Sequence, residues 1–493
     1  MENASSSYRS YFSGNLNSAT LPIMRYVLQC VVAMAMIAPA VTQTAAPPKS
    51  PQAIRLYQEG LRLQENRRSY EAMQKWREAT KLDPNLALAW AMLSIVETSP
   101  DYAREARDKA RYLIEHQPQG GVDDLLVRWF VSRSETDLMY SIQVANDMVS
   151  QYPDQKRILC TIGSWYGFQM HQYDRDAALQ EAALKVDPNF APALDELGFA
   201  YAHLQRFDRA VEMIKRYSEQ SPNEPNAEDS YGEVLRLAGR YDESLEHYHR
   251  ALKILPGFDS SQRGLGDTYA LMGDEKKARD EYEKCSGSGS ASTRLDCRKM
   301  SIYSYVREGK NEEAAKLLTD FTGQMHSVKR ISLELESLIA LGLITKKTDA
   351  ALGYFDQAIA AAKASKTIPK SDRDETVGRV MAYKVRMASA NGDTETAQKV
   401  QAELEAWAAS TKDPNVYAAM RGGRGAILYY QKRYEEAASA IQDDPNDVFS
   451  RLLLVRCFEQ QNKKDAADVL KGLIFQEHTM DIDLALVQRE IKG

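Results

Sequence analysis

The sequence GEVLRLAGRYDESLEHYHRALKILP (residues 232–256) reads as two helices joined by a turn. Gly239 and Arg240 interrupt an apolar pattern of helical spacing, and Pro256 ends the second helix because proline cannot donate to the helical hydrogen-bond ladder. The prolines in equivalent positions are 34 or 35 residues apart: Pro84, Pro118, Pro153, Pro188, Pro222 and Pro256. A fixed period of this length indicates that the chain is built from structural repeats.

Two positions of each repeat hold small residues. The position 12 residues before each proline holds Ala72, Ala106, Ser141, Asp176, Ala210 and Ser244, and all of these except Asp176 are small. The position 12 residues earlier holds Gly60, Ser94, Trp129, Ser164, Gly198 and Gly232, and Gly266 follows in the next unit. Small side chains allow two helices to cross closely, so each unit is predicted to be a helical hairpin. Asp176 departs from this pattern, and Trp129 predicts that the third unit packs differently.

These residues and their period resemble the tetratricopeptide repeat family. The resemblance is strong over residues 53–285, where seven units align, and weaker units continue to the end of the chain for about 12 in all. It implies an all-α fold, a right-handed α-α superhelix (solenoid) of helix-turn-helix repeats. In this family the first helices of successive units line a concave groove. Stacking supplies the core, since one unit cannot bury its apolar face alone.

Composition and charge restrict the classes of partner. The chain is 44% hydrophobic and 27% charged, which is typical of a globular protein. Its net charge of −6 argues against nucleic acid or an anionic membrane surface as the main partner. We predict an N-terminal array of seven units (53–285), a Ser/Gly linker (286–292) and a divergent C-terminal array with a cap (293–493).

The first 52 residues differ from the repeats. Arg25 precedes an apolar run, and Ala38, Pro39 and Ala40 follow it in a small-x-small pattern. This pattern predicts a signal peptide over residues 1–40, with Met24 as an alternative start, because the run is short for a spanning helix. Residues 41–52 are predicted to be a disordered linker. The expected location is periplasmic or secreted, and the alternative is a membrane anchor formed by an uncleaved N-terminal segment.

Four cysteines remain after such a signal is removed. Cys285 and Cys297 flank the Ser/Gly run and could close a short disulfide loop in an oxidising compartment, or remain as two half-buried thiols. Cys160 and Cys457 are expected to be core thiols.

The sequence contains no recognisable catalytic motif. The glycines at 422, 423 and 425 lack the preceding strand of a phosphate-binding loop, and we interpret them as packing residues. No two of the seven histidines have the spacing of a helical zinc motif, and no Cys-x-x-Cys or Gly-x-Ser-x-Gly is present. We therefore expect no enzyme activity, no metal and no cofactor.

The resemblance places one face of each first helix in the concave groove. The residues predicted to meet a partner there are Tyr57, Leu61, Ile95, Leu126, Phe130, Trp165, Phe168, Asp195, Phe199, Asp229, Glu233 and Asp267. Phe130, Trp165 and Phe199 follow each other at one per unit and could bind apolar side chains, while the acidic residues could bind Lys or Arg. The alternative is that the three aromatics belong to the core.

The sequence thus predicts a non-enzymatic protein-protein interaction scaffold of the cell envelope or secreted space. Its partner would be a protein segment, either a peptide or a helix, bound in the groove. Two alternatives remain open: an enzyme or enzyme subunit that assembles its active residues in the groove, and a carrier of an apolar small molecule or glycan. An enclosed cavity would favour the carrier, whereas peptide binding needs an open groove.

Overall fold

The computed structural model describes residues 50–493, apart from 67, 98–99, 119, 136–137, 289–290, 443, 445–446, 476, 478–479 and 493. The described residues form helices and no strand. In chain order the helices are α1 Pro51–Glu65, α2 Ser69–Leu82, α3 Ala87–Val96, α4 Pro100–His116, α5 Gly121–Glu135, α6 Leu138–Gln151, α7 Lys156–Phe168, α8 Tyr173–Val186, α9 Ala191–His203, α10 Phe207–Gln220, α11 Pro225–Leu237, α12 Tyr241–Ile254, α13 Asp259–Leu271, α14 Glu275–Ser288, α15 Ala291–Arg307, α16 Asn311–Ser327, α17 Ile331–Ile344, α18 Thr348–Ala364, α19 Lys370–Ala390, α20 Thr394–Thr411, α21 Pro414–Tyr430, α22 Tyr434–Ile441, α23 Val448–Gln460, α24 Lys464–Phe475 and α25 Ile482–Lys492.

The helices α1 to α24 form 12 hairpins in which each odd-numbered helix packs against the even-numbered helix that follows it. First helices of neighbouring units also contact each other, as α19 does with α21. The predicted all-α superhelix of about 12 units is confirmed. Gly239 and Gly273 stand in the turns between paired helices with φ values of +74° and +81°, a conformation that glycine adopts without strain.

The small residues of the repeat lie where the paired helices touch. Gly232 faces Tyr248, and a Cβ atom there would lie 3.0 Å from the ring. Gly266 faces Tyr282 in the next unit, where the same atom would lie 2.5 Å from the ring. Ser244, the small residue of the second helix, is buried and its hydroxyl donates to Gly232 O at 2.7 Å. The repeat therefore pairs a large ring on one helix with a glycine on the other.

Asp176, the exception among the small residues, is accommodated by its partner helix. A Cβ atom at Gly167 would lie 2.2 Å from the Asp176 carboxylate, and one at Gly163 would lie 2.9 Å from it. Gln180 donates a hydrogen bond to Asp176 at 2.8 Å, so the buried carboxylate has a polar partner. Two glycines of α7 thus leave the space that this larger side chain needs.

Trp129, the other exception, is completely buried in α5. Its ring packs edge-on against Trp165 with centroids 5.6 Å apart, and the Arg133 guanidinium lies 4.7 Å from its centre. In this unit a large ring occupies the position at which other units have a small residue.

The predicted Ser/Gly linker coincides largely with helix. Residues 286–288 end α14, and residues 291–292 begin α15. Cys285 and Cys297 form a disulfide across this junction, with Cα atoms 6.0 Å apart and both residues buried. Cys160 and Cys457 are buried free thiols. Residues 49–493 form one compact unit, so that both predicted arrays belong to it.

The C-terminal segment, which we define as residues 480–492, does not form another hairpin. Its helix α25 packs against α23 and α24 on one side and against α15 on the other. Leu484 and Val487 are buried, and Arg489 Nη1 donates to Val306 O at 2.9 Å. The last unit is thereby connected to the eighth across the inner side of the superhelix.

The predicted signal peptide, residues 1–40, lies outside the described residues, as does most of the predicted linker at 41–52. At the end of that linker, Ser50 caps α1 by accepting a hydrogen bond from Ala53 N, and Pro51 is the first helical residue. No helix within the described part of the chain combines the length and apolar character needed to cross a membrane.

Candidate functional site

The inner faces of the odd-numbered helices surround a cavity of about 1000 Å³, which we call the chamber. Helices α9, α11, α13, α15, α17, α19, α21 and α23 each contribute to its wall, and the C-terminal segment closes part of it. The turn between α7 and α8 also reaches this wall, where His171 Nε2 lies 3.9 Å from Glu375 Oε1. The chamber has the size of a large ligand pocket.

The wall of the chamber is strongly charged, with carboxylates in excess. Its acidic residues are Asp229, Glu233, Asp267, Glu336, Glu375, Asp444, Asp447, Glu477, Asp481 and Asp483. Its basic residues are Arg236, Arg263, Lys299, Arg379 and Arg451. Ten carboxylates thus oppose five Lys or Arg side chains. A cationic ligand would be attracted to such a wall.

The basic side chains already lie beside carboxylates. Arg236 is 3.3 Å from Glu233, and Arg263 is 3.6 Å from Asp267. Arg451 forms a bidentate pair with Glu477. Burial is the largest influence on the pKa of Arg379 and would lower it, but nearby groups that include the Asp483 and Glu375 carboxylates outweigh burial and raise the pKa. The charge that remains for a ligand is therefore negative.

Three of the predicted groove residues line the chamber: Asp229, Glu233 and Asp267. Asp229 accepts a hydrogen bond from the Ser261 hydroxyl at 2.6 Å, and Asp267 accepts one from the Tyr282 hydroxyl at 2.8 Å. Glu233 is the most accessible of the three, with 41% of its side chain exposed. One repeat length separates Glu233 from Asp267, so successive first helices present carboxylates at the same height of the wall.

The three predicted aromatic residues lie in the core. Phe130, Trp165 and Phe199 are all buried, and they pack in two hydrophobic clusters rather than on the wall of the chamber. Their burial fits the alternative interpretation, in which large rings fill the space between stacked hairpins. The apolar part of the predicted site is therefore absent from the described chamber wall.

The remaining predicted residues lie away from the chamber wall. Tyr57, Leu61 and Leu126 are half-buried against the first core cluster. Asp195 is buried in α9, whereas Ile95 and Phe168 are exposed by 40% and 50%. The predicted groove residues thus have different environments in different units.

Buried carboxylates occur where the C-terminal segment meets the wall. Asp483 accepts a hydrogen bond from the Tyr383 hydroxyl, and burial raises the pKa of this carboxyl. Burial, together with the charge of Asp447, raises the pKa of Asp444 to about 7. The described residues contain no group of three or more His, Cys, Asp or Glu side chains arranged to hold a metal ion.

A protein-family model matches some of the repeats that surround the chamber. The model described as tetratricopeptide repeat matches residues 223–286, which contain α11 to α13 and most of α14. The chain carries tetratricopeptide repeats. Asp229, Glu233 and Asp267 fall within the matched residues, so this part of the acidic wall belongs to matched tetratricopeptide repeats. Such repeats generally mediate protein–protein interactions and are typically non-enzymatic.

Several solved structures are similar to parts of this chain. A tetratricopeptide repeat protein from Parabacteroides merdae is 16% identical, with 55% of this chain and 93% of that chain covered and a TM-score of 0.36. The Cut9 and Hcn1 hetero-tetramer of APC/C matches with 14% identity, coverage of 84% and 78%, and a TM-score of 0.43. MamA matches with 20% identity, coverage of 32% and 91%, and a TM-score of 0.28. The comparison with curated protein sequences finds no match.

Sequence reasoning missed the part of the tetratricopeptide superhelix that closes the chamber. The acidic Asp481 and Asp483 and the apolar Met480, Ile482 and Leu484 all line the chamber, and they lie outside the 34-residue repeat pattern on which the prediction was based. Tyr173 and His203, which also line the chamber, are likewise absent from the predicted set. Both contributions depend on how far the superhelix curls, which a single repeat does not specify.

Proposed function

We propose that this protein is a non-enzymatic interaction scaffold that binds a basic segment of a partner protein in the chamber. The observation that carries the proposal is the excess of ten carboxylates over five Lys or Arg side chains in the chamber wall. A partner's Lys or Arg side chains would find carboxylates on successive first helices, at Asp229 and Glu233 and then at Asp267. An extended peptide can use such a repeated array, with several charged contacts along its length.

The test is selection of a random peptide library displayed on phage against the full chain. We expect Lys and Arg to be enriched in the selected peptides. The variant Glu233→Gln should reduce the affinity of a selected peptide by roughly 5- to 30-fold, the range for a charge-assisted hydrogen bond of about 1–2 kcal/mol.

The matched control is Glu219→Gln, which removes the same charge from an exposed position on α10. Its side chain is 62% exposed and pairs only at 3.9 Å with Lys215. This variant should bind like the unmodified protein. Selection without basic enrichment, or an equal loss in both variants, would refute binding in the chamber.

We further propose that residues 1–40 export the chain to the periplasm or out of the cell. Support comes from the apolar run after Arg25 and from the Cys285–Cys297 disulfide, since disulfides persist mainly in oxidising compartments. N-terminal sequencing of the protein purified from its native compartment tests this proposal. A new terminus near residue 41 is expected. An intact N-terminus in a membrane fraction would instead support an uncleaved anchor.

One observation favours a second candidate, a carrier of a small cationic molecule. The C-terminal segment covers part of the chamber, and an enclosed site suits a small ligand better than a long peptide. An apolar ligand is disfavoured, because it would leave the buried charges of the wall without solvent. Native mass spectrometry of the purified protein distinguishes the candidates, since a carrier would retain a discrete small mass.

A further inference from the structure

The C-terminal segment differs from the other parts of the chamber wall. Residues 480–484 of this segment line the chamber, whereas every other helix that lines the described wall belongs to a hairpin. Helix α25 packs against α23 and α24 of the last unit and also against α15 of the eighth unit. The segment is therefore a single helix that bridges two units lying far apart in sequence.

One face of α25 is directed at the eighth unit. Ile482, Leu486 and Arg489 are spaced by four and three residues, so they share a face of the helix. Ile482 and Leu486 pack against the core cluster that contains Met300 and Val306 of α15, but both remain only half-buried. The apolar contact with the eighth unit is therefore incomplete.

The opposite face of α25 is held more firmly. Leu484, Val487 and Gln488 share this face, and both apolar side chains are buried. Gln488 Nε2 donates to Ile474 O of α24 at 2.9 Å. Because full burial stabilises a side chain more than partial burial, the helix should stay with the last unit when it leaves the eighth.

The polar contact with the eighth unit is made by Arg489. Its Nη1 atom donates to Val306 O at 2.9 Å and lies 3.5 Å from Asn311 Oδ1. Val306 is in the last turn of α15, where the carbonyl groups carry partial negative charge and attract a cation. Since Arg489 is exposed, water can replace it at this carbonyl when the segment moves away.

We propose that the C-terminal segment is a gate of the chamber, which detaches from α15 while it stays on the last unit and thereby admits the partner's basic segment. This inference rests on the proposed function, because it specifies how that ligand enters. The segment covers part of the chamber, so its detachment widens the entrance. Lids of this kind gate many binding sites.

A gate has a different effect on binding from a structural cap. If only a fraction of the molecules is open, the apparent affinity for a ligand is reduced by that fraction. The contact of Arg489 with α15 therefore opposes ligand binding although it stabilises the closed fold. Loss of this contact should strengthen binding, whereas loss of a purely structural contact would not.

The first test measures access to the chamber without a ligand. Ala418→Cys places a thiol at a half-buried position of the chamber wall, and peptide mass mapping follows its reaction with a maleimide attached to dextran. Adding Arg489→Ala should accelerate this reaction roughly 10-fold, the factor for loss of one charge-assisted hydrogen bond. The reaction with free N-ethylmaleimide, which is small, should change less.

Lys492→Ala is the matched control for the loss of charge. It removes a cation from the same helix, but Lys492 lies over the Phe475 ring of α24, 5.6 Å from its centroid, and thus on the last unit. This variant should leave the reaction at position 418 unchanged. Equal reactivity with and without Arg489→Ala, in proteins whose circular dichroism is the same, would overturn the gate.

The second test prevents opening. Asn311→Cys and Arg489→Cys are combined and joined by a short bis-maleimide, which fixes the segment to the eighth unit. Association of an Arg-containing peptide from the library should become roughly 10-fold slower or more than in the unmodified protein. Arg489→Cys alone, capped with N-ethylmaleimide, should associate faster, because it lacks the arginine and is not cross-linked.

The two tests separate failure of the gate from failure of the proposed function. Peptide association that is unaffected by the cross-link would refute the gate and leave the proposed function intact. If no basic peptide binds, but access to position 418 responds to Arg489→Ala and not to Lys492→Ala, the gate is supported and the proposed function is refuted.

Discussion

Gln169 Nε2 donates a hydrogen bond to Asp372 Oδ1 at 3.0 Å, although 203 residues separate the two in sequence. Gln169 caps the end of α7 and Asp372 lies in the first turn of α19, so the contact joins the fourth unit to the tenth. Arg133 Nη2 extends the same group by donating to Gln169 Oε1 at 3.4 Å. We call the three residues Arg133, Gln169 and Asp372 the polar junction. It connects distant units of the superhelix around the chamber.

The junction should be detectable as an energetic coupling. Gln169→Ala and Asp372→Ala are expected to be non-additive by about 0.5–1.5 kcal/mol in a double-mutant cycle, the net value of one such hydrogen bond. The free energies of unfolding from urea denaturation provide the measurement. Gln169→Ala combined with Asp356→Ala is the control, because Asp356 pairs with Lys384 instead. Additivity in both cycles would show that the junction is open in solution.

The pairing of glycine with a ring predicts opposite effects for two Gly→Ala substitutions. Gly266→Ala would place its Cβ 2.5 Å from the Tyr282 ring and should destabilise the protein by about 1–3 kcal/mol through overpacking. Gly353→Ala, in the open surroundings of α18, should stabilise it by up to about 1 kcal/mol through helix propensity. Thermal unfolding of both variants checks the signs, and equal behaviour would contradict the packing described for Gly266.

The buried Asp176 should make stability depend on pH. Burial raises the pKa of this carboxyl to about 6, so its contribution to stability is complete below the unfolded pKa near 4 and is lost as the pH rises through about 6. Asp176→Asn cannot ionise, and we expect its stability relative to the unmodified protein to improve by up to about 3 kcal/mol between pH 4 and 8.

The comparison for Asp176 is Asp393→Asn at the N-cap of α20. Hydrogen bonds from Thr396 lower the pKa of Asp393, so its contribution is present at high pH and is lost as the pH falls. The two variants should therefore diverge in opposite directions when urea denaturation is repeated across the pH range. If the difference in unfolding free energy between Asp176→Asn and the unmodified protein did not change with pH, this carboxyl would have its ordinary pKa in the folded protein.

The attachment of the C-terminal segment depends on Tyr383. Tyr383→Phe removes the hydroxyl that donates to Asp483 and leaves a buried carboxylate without that hydrogen bond, which costs about 1–3 kcal/mol. We expect faster amide hydrogen exchange in α25, while α10 keeps its protection. Tyr417→Phe, at a residue that is 39% exposed, should leave both helices unchanged. Unchanged exchange in α25 for Tyr383→Phe would contradict this prediction.

The disulfide predicts a stability difference between oxidised and reduced protein. Cys285 and Cys297 close a loop with a sequence separation of 12 residues, for which the chain-entropy model gives roughly 3 kcal/mol. The urea midpoint should fall when a reductant is present. The double variant Cys285→Ala, Cys297→Ala should have a low midpoint that does not respond to reductant. An equal response in both would assign the effect to another cause.

The repeat pattern was sufficient to predict the hairpins because their packing is local. Gly232 and Tyr248 are 16 residues apart, and the period brings an equivalent pair into contact in other units, as with Gly266 and Tyr282. The acidic residues Asp229, Glu233 and Asp267 all line the chamber, since they lie on the inner face of neighbouring first helices, and their contact with a partner stays a prediction. For Phe130, Trp165 and Phe199 the same reasoning left two interpretations open. An aromatic side chain that directly follows the small position of the first helix can point either into the groove or into the core between stacked hairpins.

By itself, the sequence determined the helices, the hairpin unit and the acidic face of the first helices. Only the tertiary structure decided that the superhelix closes on itself and that the C-terminal segment forms part of the chamber. The reason is physical: a periodic sequence specifies the contacts within and between neighbouring units, whereas a small rotation per unit accumulates along the array. Contacts such as Gln169 with Asp372 depend on that sum, and no local pattern encodes it.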